Sequence, residues 1–162
     1  MDSFRRRMAE QAYFLAPVVT SDEWTAYHAI RRKVLFEDRG LFGVYDPNHV
    51  DDRKAGNHPV ILTCNGVPVG AMRIDLVPEG AFAIMRTVAV TTEKQRQGYG
   101  RIMLSLAEEY ALQNGCTAAV VFSANDAVGF YAKYGYEFHT WDPSGSFGRG
   151  QQMRKVLTTG SR

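Results

Sequence analysis

Residues 88–115 read VAVTTEKQRQGYGRIMLSLAEEYALQNG, and this stretch decides the fold class. A β-branched apolar run ends at Val90, a polar segment follows, and from residue 101 to 113 apolar residues recur at helical spacing. Met103, Leu106, Ala107 and Tyr110 share one helical face, and Arg101, Ser105 and Glu108 another. Asn114-Gly115 supplies a left-handed stop. Between strand and helix lie Gly98 and Gly100, at a helix mouth where glycine is worse than alanine by roughly 0.5–1 kcal/mol. Either a tight turn requires them or a ligand requires bare backbone. The first-turn N–H groups of a helix lack intrahelical acceptors and sit at the positive end of its dipole. Glycines let a phosphate approach those donors, and Arg96 and Arg101 add charge. No GK[ST] follows, and Met103 stands where a dinucleotide fingerprint needs its third glycine, so neither of those phosphate loops is present.

Working outward, residues 82–90 (FAIMRTVAV) form the strand that enters this turn. Before it, HPVILTC and VPVGAMRIDL flank Asn65-Gly66, a strong hairpin signal. Residues 13–19 read as a short buried strand, and Thr20 with Glu23 has capping-box spacing. A helix from about residue 21 should bury Trp24, Tyr27, Ile30, Val34 and Leu35 and break near Gly40. The turn-rich segment 40–58 reads as a loop with one short helix, and a loop of that length is often a functional rim. After Gly115, CTAAVVFS is a buried strand, AVGFYAKY a short helix closed by Gly135, and YEFHTW and QQMRKVL two final strands. The order β-α-(loop/α)-β-β-β-α-β-α-β-β predicts an α/β fold of three layers, with a mixed central sheet of about six to seven strands and helices on both faces.

Length and composition agree with one domain over residues 1–162, with tails at 1–12 and 158–162. Hydrophobic residues are 45% and charged residues 22% of the 162, ordinary for a globular chain. A formal charge of +2 and two short basic clusters, Arg5–Arg7 and Arg31–Lys33, form no basic stripe and give no case for a nucleic-acid partner. Cys64 and Cys116 have no metal-ligand or redox spacing, so no metal is expected and a reduced, cytoplasmic setting is. The run YFLAPVV, broken by Pro17, does not read as a signal peptide, and no stretch nears the ~18 apolar residues of a membrane helix. The exposed final strands leave room for a homodimer.

Read together, the segments resemble the GNAT superfamily of N-acetyltransferases. Gln95, Gly98 and Gly100 occupy the three specified positions of its motif A, which opens the helix after the fourth strand. In SANDAVGFYAKYGYEF, Asn125, Phe130, Tyr131, Gly135 and Tyr136 match its motif B, with the small residue at Ala127 one position early. The likeness spans most of residues 13–157. It implies acetyl transfer from acetyl-CoA to a primary amine. The pantetheine arm would lie between splayed strands against the backbone of Val88, Ala89 and Val90. The pyrophosphate would rest on the N–H groups of Gln95, Arg96, Gln97, Gly98, Tyr99, Gly100 and Arg101. Phe130 would also face the cofactor. A strand N–H at Val88 would stabilise the oxyanion, and Tyr131 would protonate the departing thiolate. Asn125 either pairs with the CoA chain or caps the motif B helix.

The strand Ile84–Val88 carries no carboxylate to act as base. Glu37, Asp38, Asp46, Asp51, Asp52, His58 and His139 are the remaining titratable choices, and the residues assign none of them. The segment IRRKVLFEDRGL…DPNHVDDRKAGNHPVIL is similar to the ElaA-like branch of the superfamily. Its acidic residues either attract a cationic acceptor or form a solvated loop balanced by Arg39, Arg53 and Lys54. Without a base, a non-catalytic acyl-CoA-binding or sensor module is the alternative to an enzyme.

Overall fold

A computed structural model describes residues 12–145 and 150–158. The Arg5–Arg7 cluster, the expected N-terminal tail before residue 12, part of the WDPSGSFGRG segment and residues 159–162 lie outside the described residues.

The first strand, β1 (Tyr13–Pro17), leads to α1 (Ser21–Arg31). The predicted capping box starts α1. Thr20 Oγ1 accepts from Glu23 N–H, and the Glu23 carboxylate accepts from the backbone of Val19 and Thr20. Those bonds hold the Glu23 carboxyl below its ordinary pKa. The helix widens into a π turn over 32–36, tightens to 3₁₀ over 37–39, and stops at left-handed Gly40. Segment 40–56 contains one 3₁₀ turn, Val50–Arg53, as expected. β2 (Asn57–Cys64) and β3 (Val67–Val77) pair through Asn65 and Gly66, both at positive φ, the geometry of a type I′ turn. β4 (Phe82–Val90) then enters the glycine turn and α2 (Tyr99–Gln113). β5 (Ala118–Ser123), α3 (Val128–Lys133), β6 (Glu137–Phe138) and β7 (Gln151–Val156) complete the chain.

The seven strands are ordered β1-β2-β3-β4-β5-β7-β6. Among the described strands only β4 and β5 run parallel, joined by the α2 crossover. Helices cover both faces. Tyr27 and Ile30 of α1 pack with Ile61, Ala71 and Ala89 on one side, and Ile102, Met103, Leu104 and Ala107 of α2 pack with Met72, Ile74, Met85 and Val121 on the other. Tyr131 of α3 joins the α2-side core.

Two expectations need correction. β1 is an edge strand rather than a buried one, with Phe14 64% exposed, because only one flank finds a partner. YEFHTW yields strand only at Glu137–Phe138, because the Trp141 indole turns inward to donate to Val121 O at 3.0 Å. Among the described residues no helix is long and apolar enough to cross a membrane.

Candidate active site

β4 and β5 pair only from Phe82–Met85 to Ala118–Val121, while both strands continue. Beyond Met85 they part, and the unpaired edges line a split. A bulge in β4 sets its inner edge: the register with β3 shifts between Ala71 and Arg73, and Thr87 sits at φ 53°. Thr91 N–H donates to Val69 O at 2.9 Å. Strand alternation therefore turns the main-chain groups of Ala89 toward β3 and those of Val88 and Val90 into the split.

The QRQGYGR loop closes one end of the split, and its side chains hold its shape. Gln95 Nε2 donates to Val90 O at 3.0 Å, and Gln97 Nε2 donates to Glu93 O at 3.0 Å. Gln95 N–H points to Thr92 O at 3.4 Å, so this residue braces the loop. Arg96 and Gly98 are both left-handed, at φ 63° and 88°, and Gly98 is the residue from which α2 starts. Gly100 is different. It lies inside the helix, and a Cβ there would meet only the Phe130 ring, at 3.5–3.6 Å, an ordinary contact. Neither backbone geometry nor internal packing demands a glycine at 100.

Phe130 over Gly100 brings the second motif against the first, and Arg101 stacks its guanidinium 5.4 Å from the Tyr134 ring centre. The neighbouring Tyr131 is buried edge-on against Phe130 and Tyr136, and among the described residues its hydroxyl has no hydrogen-bond partner. Burial pushes that phenol up to about 12. Asn125 is exposed at the start of a 3₁₀ turn, and no side chain caps that turn or α3. The capping alternative for Asn125 is thus not realised.

The residues considered as bases are mostly engaged. Asp52 is 3% exposed and accepts from Tyr27 Oη at 3.0 Å and from Arg31 Nη1 at 3.0–3.1 Å. Asp38 pairs with Lys33 and accepts from Thr92 Oγ1 at 2.6 Å. Asp51 lies 3.7 Å from His49 Nδ1, and Asp46 accepts from Asn48 N–H. Glu37 stands in the 3₁₀ turn, partly exposed. His58 Nδ1 is 3.0 Å from Tyr110 Oη, and exposed His139 bonds Gln152 O through its backbone. The acidic loop is pinned to α1 rather than open. Tyr45 pairs its hydroxyl with His28 Nδ1 under the guanidiniums of Arg31 and Arg32. Burial there lowers the His28 pKa, so the ring is neutral at pH 7.

Sequence reasoning passed over a chain of charges on the α1 side of the sheet. Arg86 Nε donates to Asp75 Oδ2 at 2.8 Å, and Arg73 grips Asp75 with two bonds of 2.7 and 2.9 Å. Arg73 Nη1 also lies 3.5 Å from Asp52, which completes the path to Arg31. The signal was the pair Arg73 and Asp75, two apart in an apolar strand and therefore on one face. A second omission was Gln152, whose Oε1 accepts from Trp141 and Asp142 and fixes the loop after β6.

The chain is similar to known proteins in sequence and in fold. Residues 18–136 match the sequence profile of the acetyltransferase (GNAT) family. The Bacillus subtilis (strain 168) protein YyaT is 26% identical over 108 residues, 67% of this chain and 72% of that protein. An acyl-CoA N-acyltransferase structure from Pseudomonas aeruginosa superposes with a TM-score of 0.74 at 16% identity, covering 90% of this chain and 99% of that one. The PaiA N-acetyltransferase of Thermoplasma acidophilum, in complex with coenzyme A, superposes with a TM-score of 0.67 at 12% identity, over 90% and 99% of the two chains.

Proposed function

This chain belongs to the acetyltransferase (GNAT) family, and from that premise we propose that it moves an acetyl group from acetyl-CoA to a primary amine by direct attack in a ternary complex. One observation carries the cofactor half. Gly100 is a glycine with no internal reason to be one, at the mouth of α2 and beside the split between β4 and β5. Acetyl-CoA would supply an activated acyl thioester.

The chain's own residues divide the remaining work. Gly98 gives the loop its left-handed turn, and Gly100 leaves the first-turn donors of α2 approachable. Arg96, Gln97, Tyr99 and Arg101 complete the seat for the pyrophosphate, and Gln95 holds it to the end of β4. The main-chain groups of Val88 and Val90 are the only regular hydrogen-bonding positions that strand alternation directs into the split from 88–90, and they suit an extended amide-bearing arm. Val88 N–H is positioned to receive the oxyanion that develops as the amine attacks. The Tyr131 hydroxyl carries a proton at neutral pH, because burial raises its pKa to about 12, and it donates that proton to the departing sulfur. Asn125, free of a capping task, faces the cofactor arm with Phe130.

The test is thermal unfolding with acetyl-CoA and free CoA, followed by thiol release with an amine panel. A ligand at one hundred times its Kd stabilises the native state by about 2.7 kcal/mol. Absence of any shift at saturating concentration removes the cofactor assignment. A shift without thiol release from any amine favours a CoA-binding sensor, the reading that the lack of an assigned base keeps in view.

A further inference from the structure

The loop between β4 and α2 carries strain, and part of what holds it comes from a distant element. Arg96 sits at φ 63°, in the left-handed region, two residues before Gly98 at φ 88°. A residue with a side chain keeps that conformation where its surroundings fix it. Two ties are internal to the loop: Gln95 Nε2 donates to Val90 O, and Gln97 Nε2 to Glu93 O. A third spans 54 residues of sequence. Thr92 Oγ1 donates to Asp38 Oδ2 at 2.6 Å. Thr92 O also receives Gln95 N–H at 3.4 Å, so residue 92 links Asp38 to the first residue of the glycine motif.

The backbone after α1 is shaped to deliver this carboxylate. In a regular helix of 3.6 residues per turn, side chains five apart point about 140° away from each other. Lys33 and Asp38 are five apart and yet form an ion pair. They meet because the chain widens into the π turn over Arg32–Phe36 and then tightens over Glu37–Arg39. Val34 and Leu35 of the π turn pack on the cluster that contains Ala89, and Asp38 reaches Thr92, three residues beyond Ala89 along the chain. Lys33, and then Thr92, hold the Asp38 carboxyl below its ordinary pKa, so it is ionised at neutral pH. The side chains of Lys33 and Asp38 are 53% and 29% exposed, and an ion pair so open to water adds little to global stability.

We infer that Asp38 is a positioning residue for the acyl-CoA seat. Through Thr92 it holds the loop in the shape that presents the main-chain donors of residues 95–101 before the cofactor arrives. This rests on the cofactor reading above and adds to it a residue from the turn that follows α1. A seat ordered in advance loses less freedom on binding, so the bond is felt in cofactor affinity rather than in the chemical step.

The experiment measures acetyl-CoA Kd by calorimetry, kcat and KM by thiol release, and the free melting temperature. Thr92→Val removes the donor at nearly constant shape. It should raise Kd and KM for acetyl-CoA about three- to tenfold, the range of one solvent-accessible hydrogen bond. Its kcat should stay within about twofold and its free melting temperature within about 2 °C. Thr92→Ser, which keeps the hydroxyl, should restore the affinity. Asp38→Ala should weaken acetyl-CoA to the same extent, and the double variant should bind no more weakly than the weaker single variant. A Thr92→Val Kd within twofold of the unaltered protein overturns the assignment. So does a loss that Thr92→Ser fails to restore, or a double variant in which the two effects multiply. If the unaltered protein binds no acetyl-CoA, the cofactor reading itself fails and this role with it.

Discussion

Replacing Gly100 and Gly98 separately by alanine should move the free protein's stability in opposite directions, and only one direction is what a ligand site predicts. Gly100 lies in α2, and the added methyl would meet the Phe130 ring at 3.5–3.6 Å without displacement. Alanine is the better helix residue by roughly 0.5–1 kcal/mol. At about 2–4 °C per kcal/mol for a chain of this size, free Gly100→Ala should melt about 1–4 °C higher. Gly98 sits at φ 88°, and a side chain there costs about 1–2 kcal/mol, so Gly98→Ala should melt lower by about 2–8 °C. The ligand response then discriminates. The Gly100 methyl would displace one charge-assisted contact, about 1.5–3 kcal/mol, weakening acetyl-CoA by about 10–150-fold. At a concentration that gives the unaltered protein about 2.7 kcal/mol, a hundredfold weaker variant gains only about 0.4 kcal/mol. Differential scanning fluorimetry with and without acetyl-CoA reads both quantities. If Gly100→Ala lowers the free melting temperature, or keeps the full ligand shift, Gly100 serves the fold and the argument from its spare space is wrong.

Tyr131→Phe should preserve acetyl-CoA binding and lower kcat by about 10²-fold or more. The phenol's raised pKa also has a stability consequence with a definite sign: its contribution is complete below pH 10 and is lost as pH rises from 10 through 12, so the phenylalanine variant should lose less stability than the parent between pH 9 and pH 12 in urea titrations. Asp52→Asn breaks the buried pairing with Arg31 and Arg73 and should cost about 3–5 kcal/mol in urea unfolding, whereas Asp51→Asn, in the exposed pair with His49, should stay within about 0.5 kcal/mol. Equal effects would mean that Asp52 is not the anchor of the 40–56 segment.

Periodicity and turn chemistry made most of the fold readable. The Thr20–Glu23 box, the Asn65-Gly66 hairpin and the strand ending at Val90 are local features whose causes lie within a few residues, and each stands where expected. The misreadings are tertiary. Nothing local says that β1 lies at an edge, since that depends on which strand is left without a neighbour. Nothing local shortens YEFHTW to a two-residue strand, since the cause is a Trp141–Val121 bond across the sheet. The 40–56 segment was harder for the same reason. Asp51 and Asp52 are adjacent and chemically identical, yet one is partly exposed and the other is buried against arginines from α1 and β3. The sequence left the role of Asp52 open because the arginines that pair with it are 21 residues away on either side, at Arg31 and Arg73.

The bulge at Thr87 reverses which face of the sheet each side chain of β4 addresses. Before it, Ala83 and Met85 face the α2-side core while Ile84 and Arg86 face α1. Uninterrupted alternation would send Ala89 toward α2 and Val88 toward α1. The extra residue reverses this: Ala89 packs under α1, and Val88 and Val90 pack with the α2-side core. A β-branched residue at φ 53° is an outlier whose strain is of order 1–3 kcal/mol, borne here by the packing on both sides of β4. The return is positional. Within three residues the strand sets a guanidinium against the α1 face and a main-chain N–H in the split. In a regular strand, residues two apart share a face, so the Val88 side chain would point toward α1 with Arg86. The bulge therefore decides which side chains of the end of β4 reach each core and which main-chain groups reach the split.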